Sequence, residues 1–443
     1  MTSGTTYAAA QRRRIAVVGS GVAGLTAAYV MQRDADVTLY EADARLGGHA
    51  HTHELLDKAG ERVNVDSGFI VHNRESYPYL IRLFSELDIV TQESEMSMSI
   101  SCDGCGLEYA GSRGVAGLFS TAAAARNPRY LYMLTELLRF NRRARSLLAG
   151  EPSAGSDGCD SSGRNATDNE TMDAFLDRGR FSRYFRAHFV TPLISAVWSC
   201  SPELAGQYPA RYLFEFLANH GMLTVTGSPR WRTVVGGSGQ YVEKAAKQLS
   251  AVQLSSPVRG VTRVSGGVQV RDDSDQASTF DAVVIATHPA QALRMLTEPT
   301  AAESTTLGAI HYSVNPTVLH TDTAVLPRAS KAQASWNYRL PSCDATASAV
   351  HVSYDMNRLQ RLSTNTRYLV TLNDDDVVAA DQVVERMTYE HPIFTPASVA
   401  AQSRLPDLND GTLAFAGAYH GWGFHEDGCR SGVEAARSLG IEW

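Results

Sequence analysis

The sequence predicts a two-domain α/β protein built around a parallel sheet. Near the amino terminus, a buried strand over 15–18, a helix over 22–32 and a second strand over 37–41 make a βαβ unit of the usual length. A later apolar run, Ala282–Ala286, suits a parallel strand that is covered on both faces and returns to the same sheet. Because 443 residues are too many for one simple core, we expect a second domain formed by the intervening segments.

The composition excludes several classes of protein. Hydrophobic residues make up 44% of the chain and charged residues 20%, which is typical of a globular protein. The net charge of −7 argues against a dominant basic face, so we expect no nucleic-acid partner. The scattered cysteines favour a cytoplasmic setting, and we find no apolar run of about 18 residues that could span a membrane.

The turn after the first strand carries a phosphate-binding pattern. Gly19, Gly21 and Gly24 form G-x-G-x-x-G between a strand and a helix, where the glycines permit a tight turn, close approach of a pyrophosphate and close helix–strand packing. Glu41 ends the next strand 22 residues after Gly19, where its carboxylate would accept hydrogen bonds from ribose hydroxyls. These features predict a dinucleotide site but do not distinguish NAD from FAD. The predicted contacts are Gly19, Gly21, Val22, Ala23, Gly24, Glu41 and Ala42.

Further motifs follow in a characteristic order. They are Arg45-Leu46-Gly47-Gly48-His49, Val65–Ile70, Asp281–Pro289, Phe415–Gly417 and Gly428–Ala436. In this order they resemble the flavin-containing amine oxidase and phytoene desaturase superfamily, and in particular its bacterial group of predicted NAD/FAD-binding oxidoreductases. The resemblance implies an FAD-binding, Rossmann-like domain of the glutathione-reductase type, an interleaved α+β substrate domain, and noncovalent FAD.

The resemblance also implies roles for individual residues. Gly47 and Gly48 would pack against the pyrophosphate, Gly68 and Ile70 would approach the flavin, and Val258 would contact the adenine side. Gly417 and Gly428 would bring a loop and a helix onto the ribityl chain and the pyrimidine end of the flavin. The superfamily usually has arginine where His49 stands. The other expected cofactor contacts are Arg45, His49, Phe69 and Gly423.

These assignments predict the domain boundaries. We expect the FAD-binding domain to comprise 12–90, 235–290 and 405–443, and the substrate domain 91–234 and 291–404. Segment 151–170 is rich in Ser, Gly, Asp and Asn, which predicts a flexible surface loop. Ligands should bind at the carboxyl ends of the parallel strands, where the domains meet.

Candidate catalytic groups lie in two loops. The 419–427 loop contains His420, Trp422 and His425, which could stack on a flavin or transfer protons, and His72 follows the Gly68 turn. The alternative for the loop residues is that they hydrogen-bond the loop to itself. For His51 and His53, which alternate as metal ligands on a strand do, we find no acidic or cysteine partner at a defined spacing, so no metal is predicted. Cys102-Asp103-Gly104-Cys105 could be a redox pair, although Asp-Gly favours a hairpin turn.

The substrate class is predicted from a missing lysine and a basic helix, together with the resemblance. Many amine oxidases of the superfamily carry a lysine near the flavin, but the matching stretch, Tyr312–Val318, has none. Helix 126–148 has six arginines against one acid, Glu136, and is either a surface helix or a contact with an anionic membrane or an acyl substrate. Together with the association of this bacterial group with fatty-acyl-modifying enzymes, these features favour dehydrogenation or desaturation of a hydrophobic, acyl-like small molecule. The oligomeric state is not predicted.

Three alternatives remain at this point. The first is an amine or amino-acid oxidase, with which the superfamily motifs are equally compatible. The second is a redox-neutral flavin mutase, which would need arginines such as Arg183, Arg186 and Arg211 to hold a diphosphate. The third is a flavin-binding protein without catalytic activity.

Overall fold

The chain divides into two units in this computed structural model. The structure describes residues 12–150, 170–223, 229–343, 351–373 and 377–443. The first unit comprises Met1–Gly48, Tyr241–Gly308 and Arg404–Trp443, and the second His49–Gln240 and Ala309–Ser403. Residues 49–90 therefore group with the second unit, so their assignment to the FAD-binding domain stays a prediction. The predicted loop 151–170 lies, except for Glu170, outside the described residues.

The first unit contains the predicted parallel sheet. In spatial order its five strands are Ala251–Gln253, Ala35–Tyr40, Arg13–Val18, Ala282–Ile285 and Leu413–Phe415, and all pairings are parallel. The central strand from Ile15 onwards and its neighbour Ala282–Ile285 are apolar and fully buried, as the sequence predicted. An antiparallel sheet of Val258–Val264, Gly267–Asp272 and Ala277–Phe280 is also present. The helices are Val22–Met31, Gly239–Ala246, Pro289–Met295, Ala301–Gly308 and His425–Ser438, with short 3-10 turns at Leu405–Leu408 and Ala418–His420.

The second unit is built on a seven-stranded mixed sheet. Its order is Val383–Ile393, His311–His320, Leu369–Leu372, Val352–Asp355, Trp336–Leu340, Met98–Cys102 and Glu108–Tyr109. Smaller sheets pair Thr52–Leu56 with Arg62–Asp66, and Val71–His72 with Arg232–Val234 and Thr91–Glu93. The helices and helical turns are Pro78–Glu86, Gly111–Arg113, Gly114–Leu118, Ala122–Arg126, Pro128–Leu148, Met172–Arg178, Arg183–Phe185, Arg186–Val190, Thr191–Trp198, Pro202–Ala205, Ala210–Asn219, Thr323–Val325, Met356–Leu359, Ala380–Gln382 and Pro396–Gln402.

The basic helix begins two residues later than predicted. Asn127 ends the preceding short helix, and its side chain accepts hydrogen bonds from the Arg129 and Tyr130 amides at 3.0 and 3.2 Å, so Pro128 becomes the first helical residue. The only acid of the helix, Glu136, is buried. It accepts hydrogen bonds from the amide and hydroxyl of Ser182 at 2.8 and 2.5 Å and pairs with Arg139 at 3.1 Å. Glu136 therefore belongs to the core of the second unit.

The length and polarity of a helix decide whether it could cross a membrane. Not one helix among the described residues combines the length and the apolar character that crossing a bilayer requires.

Candidate functional site

The glycine turn shows why three glycines stand at this spacing. Gly19 has a φ of 99°, and a Cβ there would lie 2.8 Å from the Ala286 carbonyl oxygen. A Cβ on Gly24 would lie 1.9 Å from the Gly19 carbonyl oxygen. A Cβ on Gly21 would meet no atom within 4 Å. The first and third glycines are thus required by packing within the unit, whereas Gly21 faces open space.

The second glycine pair lies directly on this turn. The Gly47 amide donates to the Ser20 carbonyl and hydroxyl oxygens, both at 3.1 Å. Gly48 has a φ of 55°, and a Cβ on it would lie 3.2 Å from the Gly21 Cα. Arg45 holds this segment by donating to the Gly48 carbonyl at 2.9 Å. Residues 45–48 therefore pack their backbone directly against the Gly21 turn.

Glu41 is fixed at the carboxyl end of the second strand. One carboxylate oxygen accepts from the Ser20 amide at 2.9 Å and from the Ser20 hydroxyl, and the other from the Asp43 amide at 2.9 Å. A carboxylate has about four acceptor positions, so about one is left for a ribose hydroxyl. The Glu41 carbonyl also accepts from the Ser256 amide at 2.8 Å, which places Val258 two residues from this contact.

The carboxy-terminal helix, His425–Ser438, packs on the first helix through small residues. A Cβ on Gly428 would lie 2.6 Å from Val22 Cγ1, and one on Gly432 would lie 2.4 Å from the Ala23 carbonyl oxygen. This close contact sets the start of the helix beside the start of Val22–Met31. The Gly417 amide donates to the Ser431 hydroxyl at 2.9 Å, which ties the preceding loop to the same helix.

The predicted catalytic residues of this loop have different surroundings. His420 Nε2 is buried without a hydrogen-bond partner among the described residues, and burial, with the charge of Arg430, lowers the pKa of His420 to about 3. His425 Nε2 lies 3.1 Å from the Tyr241 hydroxyl, so this ring is held by its own unit. Trp422 is half-buried and directly precedes Gly423, which has a φ of 90°. His420 is therefore a neutral imidazole with an unused nitrogen.

These features fit a dinucleotide. The Val22–Met31 helix begins at Gly21 with no side-chain cap, so its first amides are available to a phosphate group. The space at Gly21, the Gly48 backbone and the fixed Glu41 carboxylate lie around this helix terminus. Each of these groups suits one part of a nucleotide diphosphate: phosphate at the amides and ribose at the carboxylate.

In the second unit, the Gly68 turn contacts His49. A Cβ on Gly68 would lie 2.1 Å from the His49 carbonyl oxygen, and the Phe69 amide donates to that oxygen at 2.7 Å. The Ile70 carbonyl accepts from the Thr233 hydroxyl at 2.9 Å. His72 is fully buried, with the Phe84 ring edge-on at 5.2 Å, and burial lowers the pKa of His72 to about 4. These surroundings favour a packing role for His72 over proton transfer.

A network of polar groups, which the sequence did not predict, lies next to this turn. The Tyr389 hydroxyl lies 2.6 Å from the Ser67 hydroxyl and 3.1 Å from His51 Nδ1. His53 joins the Ser67 hydroxyl to Glu385 through contacts of 2.7 Å each. The His49 ring lies 4.9 Å from the Tyr389 ring. The alternation of histidines at 49, 51 and 53 was visible in the sequence, but Ser67, Tyr389 and Glu385 come from distant segments.

Buried carboxylates of the second unit are all compensated among the described residues. Asp66 accepts from Ser238, Thr52 and Gln360, and burial raises its pKa to about 6. Asp355 binds Arg358 at 3.1 Å and Arg367 at 2.5 Å. Asp322 accepts from the Ala324 and Ala379 amides, and Glu136 is described above.

The strand His311–His320 holds no lysine. Its buried central residue is Asn315, whose amide nitrogen lies 3.0 Å from His391 Nδ1 and whose oxygen accepts from Asn373 at 2.8 Å. The chain's four lysines, Lys58, Lys244, Lys247 and Lys331, lie on other segments. Of the arginines considered for a diphosphate, Arg186 pairs with Asp177 at 2.5 Å and Arg211 donates to the Leu147 carbonyl at 3.0 Å, while Arg183 is exposed. Two of the three are thus bound to other groups.

Comparison with known proteins gives a consistent result. The family model for flavin-containing amine oxidoreductases matches residues 22–439. A structure of wild-type putrescine oxidase bound to putrescine has a TM-score of 0.66 at 17% identity, covering 96% of this chain and 98% of that one. Cyclohexylamine oxidase from Brevibacterium oxydans IH-35A gives 0.67 at 15%, covering 97% and 98%. A CLA-producing fatty acid isomerase from P. acnes gives 0.67 at 15%, covering 95% and 97%. At these identities the likeness concerns the fold, and the predicted fold class is confirmed.

Proposed function

Because this chain belongs to the flavin-containing amine oxidoreductase family, we propose that it removes hydride from a hydrophobic, acyl-like substrate in a dehydrogenation or desaturation of a C–C bond. The predicted FAD cofactor and oxidoreductase class are confirmed by the family. The substrate is the proposed part. FAD, when bound, supplies the hydride acceptor, and the protein must bind and orient the substrate and exclude water.

The observation that carries the proposal is the charge state of the second unit. An ammonium substrate is best held by a carboxylate whose charge is not already neutralised. Asp66, Glu136, Asp322 and Asp355 each accept hydrogen bonds or ion pairs from the chain itself. The network around Tyr389 offers hydroxyl and imidazole groups, and its carboxylate, Glu385, is already paired with His53 at 2.7 Å. Such groups suit a neutral or anionic head group better than a cation.

We assign the cofactor contacts to the first unit on the geometry of its turns. Gly21 and Gly48 leave room for a pyrophosphate at the start of the first helix, and Glu41 keeps an acceptor for the ribose. The start of helix His425–Ser438 carries a partial positive charge that would stabilise an anionic flavin nearby. His420, with its unused nitrogen and lowered pKa, would act as a neutral hydrogen-bonding group at neutral pH.

The exposed side of the basic helix supports contact with an anionic lipid surface. Leu131 and Leu138 are 41% and 66% exposed there, and Arg142, which is also exposed, lies one turn beyond Leu138. Exposed apolar side chains beside arginines are the pattern of helices that lie at a membrane interface. We propose that the enzyme reaches acyl substrates at such a surface.

The second candidate is an amine oxidase. It is favoured by the family description and by the two amine oxidases among the similar structures. Anaerobic mixing of the FAD-loaded protein with unsaturated and branched acyl lipids, and separately with polyamines and aromatic amines, distinguishes the two. Bleaching of the flavin absorption by lipids alone supports the proposal. Bleaching by amines alone, with peroxide released on admitting oxygen, would refute it.

A further inference from the structure

Four metal-ligating side chains meet in the second unit, away from the groups described above. Cys102, Cys105, His188 and Cys343 each offer one ligand atom, and these four atoms all lie within 4.8 Å of one another. Cys102 and His188 are buried, Cys343 is half-buried and Cys105 is exposed. The sequence suggested only the Cys102–Cys105 pair, because the other two residues are far away along the chain.

Three separate segments bring these residues together. Cys102 ends the strand Met98–Cys102, and Cys105 lies in the turn that follows it. Gly106, with a φ of 68°, closes this turn by donating its amide to the Cys102 carbonyl at 2.9 Å. Cys343 follows the neighbouring strand, and its amide would lie 3.0 Å from a Cβ on Gly104, so only glycine lets the two loops approach this closely.

Two of the distances between ligand atoms match a tetrahedral site. With sulfur ligands about 2.3 Å from zinc and nitrogen about 2.0–2.1 Å away, ligand atoms at the corners of a tetrahedron are separated by about 3.5–3.8 Å. Cys102 Sγ and Cys343 Sγ are 3.8 Å apart, and Cys105 Sγ and His188 Nε2 are 3.6 Å apart. A disulfide, in contrast, requires the two sulfur atoms at about 2.05 Å.

The imidazole is also oriented as a ligand. His188 Nδ1 lies 3.1 Å from the Tyr184 carbonyl oxygen, so this nitrogen donates and Nε2 keeps its lone pair towards the three sulfur atoms. The Tyr184 ring stacks on the imidazole at 3.9 Å, and its hydroxyl lies 3.6 Å from Cys105 Sγ. His188 lies in a π-helical turn, Arg186–Val190, a local irregularity that often occurs at functional residues. Arg339 holds the turn from outside through Asp103 at 2.9 Å.

We propose that Cys102, Cys105, His188 and Cys343 bind one zinc ion. Four protein ligands close the coordination sphere, so the site is structural, and it joins the two loops to the helix that carries His188. On binding, the cysteines coordinate as thiolates and the displaced thiol protons pass to solvent, while the oxidation state of zinc does not change. The other group of three ligands, His51, His53 and Glu385, is explained by the hydrogen bonds to Ser67 and Tyr389.

The test uses the full, FAD-loaded protein produced in zinc-supplemented medium and washed with a weak chelator. Metal analysis should find about one zinc per chain, and X-ray absorption at the zinc edge should show three sulfur ligands at about 2.3 Å and one nitrogen at about 2.0 Å. Substoichiometric zinc, or a first shell of oxygen and nitrogen alone, would overturn the proposal. So would a Cys102–Cys343 disulfide, seen as two additional thiols after reduction of the denatured chain.

Variants identify the ligands. Cys343→Ser and His188→Gln should lose zinc while retaining FAD, whereas Cys200→Ser, a buried cysteine outside the cluster, should keep both. A zinc content unchanged in both ligand variants would contradict the assignment. If a ligand variant loses FAD as well, it has not folded. The X-ray absorption spectrum at the zinc edge of the unsubstituted protein then decides whether three sulfur ligands and one nitrogen bind the metal.

Discussion

Gly21 and Gly24 stand three residues apart in the same turn, yet substitution by alanine should affect a different property at each: stability at Gly24 and FAD binding at Gly21. A Cβ at 24 would lie 1.9 Å from the Gly19 carbonyl oxygen, so the helix Val22–Met31 must move away from the turn. Overpacking of this kind costs about 1–3 kcal/mol and occasionally more. At about 2–4 °C per kcal/mol for a domain of 150–250 residues, Gly24→Ala should lower the melting temperature of the FAD-free protein by about 2–12 °C.

Gly21→Ala should instead affect FAD binding. Its φ of −60° is accessible to alanine, and the added methyl group meets no protein atom within 4 Å, so the FAD-free protein should lose only about 1 kcal/mol for the poorer helix cap. The methyl group would occupy the space through which a pyrophosphate reaches the helix amides. Loss of one hydrogen bond to a charged group costs about 1.5–3 kcal/mol, which weakens FAD binding about 10- to 150-fold.

The two effects are measured separately. Thermal unfolding of the FAD-free variants gives the packing cost, and calorimetric titration with FAD gives the dissociation constant. The reasoning fails if Gly21→Ala binds FAD as tightly as the unsubstituted protein. It also fails if the FAD-free Gly21→Ala variant is as unstable as Gly24→Ala.

Three further outcomes are expected. Glu136→Ala leaves the Ser182 amide and Arg139 without their acceptor, so the free energy of unfolding measured in urea should fall by about 2–4 kcal/mol. Glu215→Ala removes an exposed carboxylate and should lower it by less than about 1 kcal/mol. Equal effects of the two substitutions would contradict the buried role of Glu136. Burial raises the pKa of Asp427 to about 6 from 3.8, so its contribution to stability is present below pH 4 and is lost as the pH rises through 6. Asp427→Asn should make this loss of stability smaller, by up to about 3 kcal/mol. A pH profile of the unfolding free energy that is the same with and without the substitution would refute this prediction. Leu138→Glu should reduce the fraction of protein that sediments with anionic vesicles. Leu56, on a hairpin, is 68% exposed, and Leu56→Glu should leave that fraction unchanged. Equal binding by both variants would exclude the helix as the contact.

Several features were predictable from the sequence because neighbouring residues determine them. The G-x-G-x-x-G turn, the parallel strands and the dinucleotide site follow from glycines, apolar runs and an acidic residue at fixed spacing along the chain, whereas FAD was implied by the family resemblance. The start of the basic helix was two residues off, because Asn127 and Pro128 together make a cap that the charge pattern does not reveal. The buried position of Glu136 depends on Ser182, which is 46 residues away.

The sequence by itself thus determined the local turns and the presence of a dinucleotide site, since each depends on the conformations that a few consecutive residues can adopt. Only the tertiary structure decided which distant side chains share a site. Tyr389 reaches His51 and Ser67, and His188 and Cys343 reach the Cys102 turn, through contacts between segments more than 80 residues apart. Such contacts follow from the order of strands in the sheets, which no pattern within a single segment encodes.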